Sequence, residues 1–191
     1  MSTLSKKLQI IPKYQNVDTP IYRMIDLCAG TGGFSLAFQQ TGRSQVVWAN
    51  DSDRSSEIIY NANFTHPLVR GDLNMIDLRQ IPVHDILTAG YPCQPFSVAG
   101  HRLEFLDPRA QIFWTLIKIL QLHQPKVFLF ENVKGLVSTN SFSLMLKELQ
   151  NCHYQVQYYL LDTYTATGLP QHRERIFIIG IHTQIKSTSP L

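Results

Sequence analysis

Short apolar runs of strand length alternate with helical patterns along most of this chain, and the first run ends in a turn with three glycines in four positions. Tyr22 to Leu27 reads as a strand, Phe34 to Gln40 as a helix, Val46 to Asn50 as a strand, Ser55 to Asn63 as a helix and Leu68 to Gly71 as a short strand. The alternation resumes with a strand over Asp85 to Ala89, a helix from about Pro108 to Leu122, a strand over Lys126 to Phe130 and a helix from about Ser141 to Asn151. The helix before Leu122 carries Ile112, Phe113, Leu116, Ile117 and Leu120 at helical spacing, which no strand reading accommodates. Tyr154 to Leu161 and Arg175 to His182 are both β-rich with no helical pattern between them, so the chain is expected to close with an antiparallel strand pair. Such an order predicts an α/β fold built on a doubly wound, mostly parallel sheet, which keeps its ligands at the carboxyl ends of the strands.

A chain of 191 residues with 44% hydrophobic and 16% charged residues has the composition of one globular domain. We expect a polar extension over residues 1–20, one domain over 21–183 and a frayed tail over 184–191. The longest apolar runs fall far short of the roughly 18 residues a bilayer span requires, and the first fifteen residues have no apolar stretch of signal-peptide type. A soluble, cytoplasmic protein is therefore expected. A net charge of +3 permits a polyanionic partner without demanding one. Cys28, Cys93 and Cys152 are odd in number and far apart, which suggests neither a disulfide framework nor a zinc ribbon, and no histidine stands at metal-ligand spacing.

Six places can carry chemistry, and most of them also have a plain structural reading. The turn Asp26-Leu27-Cys28-Ala29-Gly30-Thr31-Gly32-Gly33-Phe34 offers backbone N–H groups at a helix start to a nucleotide-like ligand, though glycines also close ordinary strand–helix joints. Asp51 ends the second strand at about the spacing at which a carboxylate takes ribose hydroxyls in dinucleotide folds. Asp72, after the third strand, is a ligand contact or a helix cap. Gly90-Tyr91-Pro92-Cys93-Gln94-Pro95-Phe96-Ser97 follows the fourth strand, and its rigid loop presents a thiol that is either a small buried hydrophobe or an activated nucleophile. Glu131, after the fifth strand, is a buried acid with a raised pKa or a salt-bridged loop residue. In Gln171-His172-Arg173-Glu174-Arg175, alternation puts Arg173 and Arg175 on one face and Glu174 on the other.

Taken together, the segments Asp26 to Phe34, Gly90 to Ser97, Glu131-Asn132-Val133 and Gln171 to Arg175 closely resemble, in order and spacing, the cytosine-5 DNA methyltransferases. The resemblance covers about residues 22 to 182. It implies a Rossmann-like methyltransferase fold, S-adenosyl-L-methionine as methyl donor and double-stranded DNA as partner. By it, Gly30, Gly32 and Gly33 hold the methionine part of the donor, Asp51 the ribose and Asp72 the adenine edge, with Asp26, Ala29, Phe34 and Pro92 in the same donor set. Cys93 becomes the nucleophile that adds to carbon 6 of a flipped-out cytosine, Glu131 the proton support at ring nitrogen 3, Arg175 the partner of the base carbonyl and Arg173 the cation nearest the thiol. Cys28 stands where the family is commonly aromatic, Ser52 where it is often bulky, Asp51 where it usually has Glu, and Arg109-Ala110 where it has Arg-Gly. Family members usually continue into a target-recognition domain, whereas only eleven residues follow Gly180 here. The resemblance thus predicts a subunit of a split methyltransferase with a protein partner, in a restriction-modification setting, or a truncated copy. A donor-binding module and an RNA cytosine methyltransferase are the alternatives.

Overall fold

The computed structural model describes residues 21–92 and 111–185. Cys93, Arg109, Ala110 and the two terminal segments lie outside these residues.

Among the described residues, seven strands form one sheet: β1 (Tyr22–Leu27), β2 (Ser44–Asp51), β3 (Leu68–Arg70), β4 (Ile86–Gly90), β5 (Val127–Val133), β6 (Tyr154–Asp162) and β7 (Glu174–His182). The helices are α1 (Gly33–Gln40), α2 (Arg54–Asn63), α3 (Gln111–His123), α4 (Phe142–Asn151) and α5 (Thr163–Thr167), with short 3₁₀ turns after β3 and β5. The spatial order is β3-β2-β1-β4-β5-β7-β6. Strands β3, β2, β1, β4 and β5 run parallel, and β7 lies antiparallel to both its neighbours. The expected closing pair is present, with its second member wedged between β5 and β6.

Strand alternation explains the double layer of helices. Ile25 and Leu27 of β1, Leu87 and Ala89 of β4, Phe128 and Phe130 of β5, and Ile176 and Ile178 of β7 all face one core with Leu116 and Leu120 of α3 and Leu149 of α4. On the other side Ala49, Tyr60 and Leu68 form a smaller cluster that takes in Ala29 and Phe64. Asp26, between Ile25 and Leu27, therefore turns away from the main core, toward α1.

Two expectations need correction. The strand β5 runs on through Glu131, Asn132 and Val133 because β7 supplies antiparallel partners there, Asn132 against Ile176 and Val133 against Arg175, so Glu131 is a strand residue and not part of a loop. A helix, α5, does stand between β6 and β7. At five residues it is too short to show a period, and it is held by the Asp162 cap and ended by Gly168 at φ +79°.

Gly180 has a packing role that Ala cannot take over. A Cβ there would run into the ring of Phe128, with Cδ1 at 2.7 Å, and that ring is boxed by Phe130 and Tyr154. Gly180→Ala is expected to cost about 2–3 kcal/mol, read as a lower urea midpoint at unchanged slope.

Candidate functional site

Where β1 lies between β2 and β4 the chain's winding reverses, and such a point leaves a crevice beyond the strand ends. A cleft of about 320 Å³ opens there, lined by Cys28 and Gly30 after β1, Asn50, Asp51 and Ser52 at the end of β2, Gly71, Asp72 and Leu73 after β3, Gly90 and Pro92 after β4, and Ile112 of α3.

Its walls are tied together by strand-end polar groups. Asp51 Oδ2 accepts a hydrogen bond from the Gly30 amide at 2.8 Å and Oδ1 one from the Asp53 amide at 2.9 Å. Asn50 donates to the carbonyls of Val69 and Gly71, 2.8 and 3.0 Å away, which fixes the end of β3 beside β2. Asp72 accepts from the Asn74 amide at 2.9 Å, so it does cap a 3₁₀ turn, and it lines the cleft as well. Asn74 in turn accepts from Thr115 of α3 at 2.7 Å.

The glycine turn is a set of left-handed residues. Cys28, Gly30 and Gly32 have φ of +49°, +55° and +92°, and Cys28 takes a conformation that costs a side-chain-bearing residue about 1 kcal/mol or more. Burial, with Asp51, Asp26 and Asp72 nearby, pushes the Cys28 thiol up to about 12, so it stays protonated and inert as a nucleophile. Gly32 starts α1 without a side-chain cap, and a Cβ there would strike the ring of Phe64 and approach Tyr60 Cε2 at 3.0 Å. Of the residues assigned to a donor, Gly30, Asp51, Asp72 and Pro92 line the cleft. Asp26 lies behind the turn, fully buried, and Ala29 packs on the small second cluster.

A second cleft of about 280 Å³ lies at the same edge of the sheet, lined by Glu131, Arg173, Arg175 and Phe177 together with Leu161, Asp162 and residues of α5. Arg175 Nε sits 2.9 Å from Glu131 Oε1, so the acid is ion-paired rather than buried alone. Glu174 points the other way, to Lys134 Nζ at 2.8 Å, as the alternation requires. Asp162 accepts from the Arg173 amide at 2.9 Å, and His172 Nδ1 lies 3.1 Å from its other oxygen, so this side chain clasps the loop that carries Arg173 and leads into β7, where Arg175 stands.

Gly90 and Phe34 stand on the border between the clefts. Gly90 lines the first, while its Cβ position would lie 3.6 Å from Glu131 Oε2 of the second. Phe34, next to the glycine turn, meets Phe177 edge-on with centroids 6.5 Å apart. Asn132 is buried and donates to the Tyr91 carbonyl at 3.1 Å, holding the chain two residues before Cys93. Sequence reasoning gave no site role to Asn50, Asn132, Asp162 or Ile112, the last of which it placed only in a helix's apolar stripe; for Asn50 and Asn132 the one signal is a polar residue beside a strand-end acid. Among the described residues no group of three or more His, Cys, Asp or Glu could hold a metal ion, and no helix is long and apolar enough to cross a membrane.

The family model for C-5 cytosine-specific DNA methylase matches residues 22–190. Type II methyltransferase M.NgoBI of Neisseria gonorrhoeae is 44% identical over 168 residues, covering 86% of this chain and 52% of the relative. Type II methyltransferase M.HaeII of Haemophilus aegyptius is 43% identical over 162 residues, covering 83% of this chain and 50% of its own length. The solved structure of S. pombe Dnmt2 methyltransferase superposes with a TM-score of 0.76 at 25% identity, over 88% of this chain and 53% of that one. The chain thus spans about half the length of the relatives it matches.

Proposed function

Because the chain belongs to the C-5 cytosine-specific DNA methylase family, we propose that it carries the methyl-transfer machinery of a DNA cytosine-5 methyltransferase of restriction-modification type. The observation that carries this reading is the shared border at Gly90, which brings a cleft of nucleotide-binding chemistry against a carboxylate–arginine cleft suited to a polar ring.

The first cleft fits S-adenosylmethionine. Each Asp51 oxygen accepts one hydrogen bond from the protein, which leaves a lone pair on each for a ribose hydroxyl. Asp72, with one oxygen used in its cap, has the other for the adenine edge, and Gly30 brings backbone close to the donor's methionine part. When bound, the donor supplies a methyl group on a positively charged sulfur.

At the second cleft the roles divide between two oxygens. Glu131 Oε1 stays with Arg175, while Oε2, facing Gly90, shares a proton with ring nitrogen 3 of the cytosine. Arg175 and Arg173 take the base carbonyl and the neighbourhood of the thiol. Cys93 as thiolate would form a bond to carbon 6, and the electron pair released to carbon 5 would take the methyl group as its bond to the donor's sulfur breaks, the bonding pair staying on a neutral thioether. Loss of the carbon-5 proton to solvent water and breakage of the sulfur–carbon bond then free the cysteine as thiolate and return the nitrogen-3 proton to Glu131. The base reaches this cleft only when flipped out of the duplex.

Sequence choice needs contacts to base edges. We assign it to polypeptide corresponding to the half of the relatives that this chain does not match, in the same protein or in a partner.

Transfer of labelled methyl from S-adenosylmethionine to mixed-sequence duplex DNA tests the reading, with tRNA in parallel and with the chain alone and mixed with such polypeptide. Label in DNA that disappears in Cys93→Ser is the expected result. Label in tRNA only would replace DNA by RNA, and donor binding without transfer in any mixture would leave a donor-binding module.

A further inference from the structure

Behind the glycine turn, away from both clefts, a line of buried polar groups takes no part in the reaction proposed above. Asp26 at the end of β1 and Ser35 in the first turn of α1 bridge the base of the turn. Asp26 Oδ2 accepts from the Ser35 amide at 3.1 Å and from its hydroxyl at 2.7 Å, while Oδ1 accepts from Thr88 of β4 at 2.8 Å. The line continues outward: Ser35 Oγ lies 2.7 Å from the Tyr60 hydroxyl, which lies 2.7 Å from Nε2 of His66. Tyr60 is fully buried and stacks on Phe64 with centroids 4.3 Å apart, and these two rings are the ones that leave no room for a Cβ on Gly32.

Chemistry allows one orientation of this line when Asp26 is ionised. A carboxylate only accepts, so the Ser35 proton points to it and the Ser35 oxygen accepts from Tyr60, whose oxygen accepts from an N–H at His66 Nε2. Bonds aligned in this way polarise and strengthen one another. Burial holds the Tyr60 hydroxyl up at about 12 and the His66 ring below its ordinary value, so both enter the line as neutral donors at neutral pH. The negative end of the line also caps the N-terminus of α1, where Gly32 has no side chain to do so.

We propose that Tyr60 and His66 are positioning residues for donor binding. The oriented line His66–Tyr60–Ser35–Asp26 holds the start of α1 against β1, and with it the turn over Gly30, Gly32 and Gly33. This inference rests on reading the first cleft as the donor site.

The line has a pH signature. Burial pushes Asp26 up to about 6 against the Ser35 and Thr88 bonds that pull it down, with Asp51 pushing the same way as burial. The titratable groups that face it are Tyr60 from α2, Asp51 from β2 and Cys28 from the turn. A proton on Asp26 removes an acceptor and breaks the common orientation, so donor affinity should fall as pH drops through about 6. Tyr60→Phe keeps the ring on Phe64 and removes one donor, which makes the ionised form harder to hold and moves the midpoint upward.

Calorimetric titration of the chain with S-adenosylmethionine across pH 5 to 9 is the test, alongside the carboxyl ¹³C signal of Asp26 without donor. Tyr60→Phe predicts affinity about threefold below that of the unsubstituted chain at pH 6, a difference vanishing by about pH 8, and an Asp26 midpoint raised by about 0.7 unit. His66→Ala should move both readouts in the same direction, and His66→Gln, which keeps an N–H donor, should restore them. Affinity curves that stay parallel at every pH, or an Asp26 midpoint unmoved in Tyr60→Phe, would overturn the proposal. If the unsubstituted chain binds no donor, the reading of the cleft fails instead, and the Asp26 signal still decides whether the line acts on that carboxylate.

Discussion

The Glu131→Gln variant is expected to bind S-adenosylmethionine with affinity within about twofold of the unsubstituted chain while transferring methyl groups at least about 100-fold more slowly. The amide has nearly the same shape, so it still reaches Arg175, 2.9 Å away in the native pair, and the donor cleft across Gly90 is untouched. What is lost is an oxygen that can give a proton to ring nitrogen 3 and take it back. Without that proton the negative charge created by thiol addition stays on the ring, and carbon 5 is not relieved of it until the methyl group arrives. Single-turnover transfer together with donor calorimetry separates the two effects. Equal losses in both would mean that Glu131 supports the donor cleft and has no part in the chemistry.

Gly32→Ala should strike folding and donor binding together. Its φ of +92° is strained for any residue with a Cβ, and the added methyl meets the ring of Phe64 and that of Tyr60, which is fully buried and stacks on it. Backbone strain and overpacking together come to about 3 kcal/mol. Urea unfolding should show that loss, and calorimetry at a temperature where the variant is folded should show donor affinity reduced by about tenfold or more, since the turn cannot move off the rings without moving the amides of the cleft. Gly33, whose Cβ position meets nothing within 4 Å and whose φ is ordinary, is the control: Gly33→Ala should be nearly silent in stability.

Most of the sheet could be read from the sequence because its strands are short, apolar and separated by helical patterns. Met24 to Leu27, Leu87 to Ala89 and Phe128 to Phe130 announce buried strands directly. The extension of β5 was hidden because Glu131 and Asn132 are polar, and only the pairing with β7 makes them strand. That same pairing, which joins residues more than forty positions apart, creates the Glu131–Arg175 contact. Sequence order named both residues without saying that they touch. Asp26 shows the opposite case: alternation with Ile25 and Leu27 already turns it away from the main core, so its place behind the turn is implied by the pattern, while its partners Ser35 and Thr88, and Tyr60 beyond Ser35, come from three elements that only the fold brings together. Cys93, on which the chemistry turns, is argued from sequence and family alone.

The wedged position of β7 also dictates when this sheet can close as the chain emerges from a ribosome. Strands β5 and β6 have no ladder between them; each waits for residues 174–182, which come after both of them in the chain. At ~5–20 residues per second, the roughly fifty residues from β5 to β7 take several seconds to make. During that interval the edge of β5, with Phe128 and Phe130, has no partner on that side. The nascent chain therefore carries an open apolar strand edge until residues 174–182 have been made, which makes the interval between β5 and β7 one of raised aggregation risk and of demand for a chaperone.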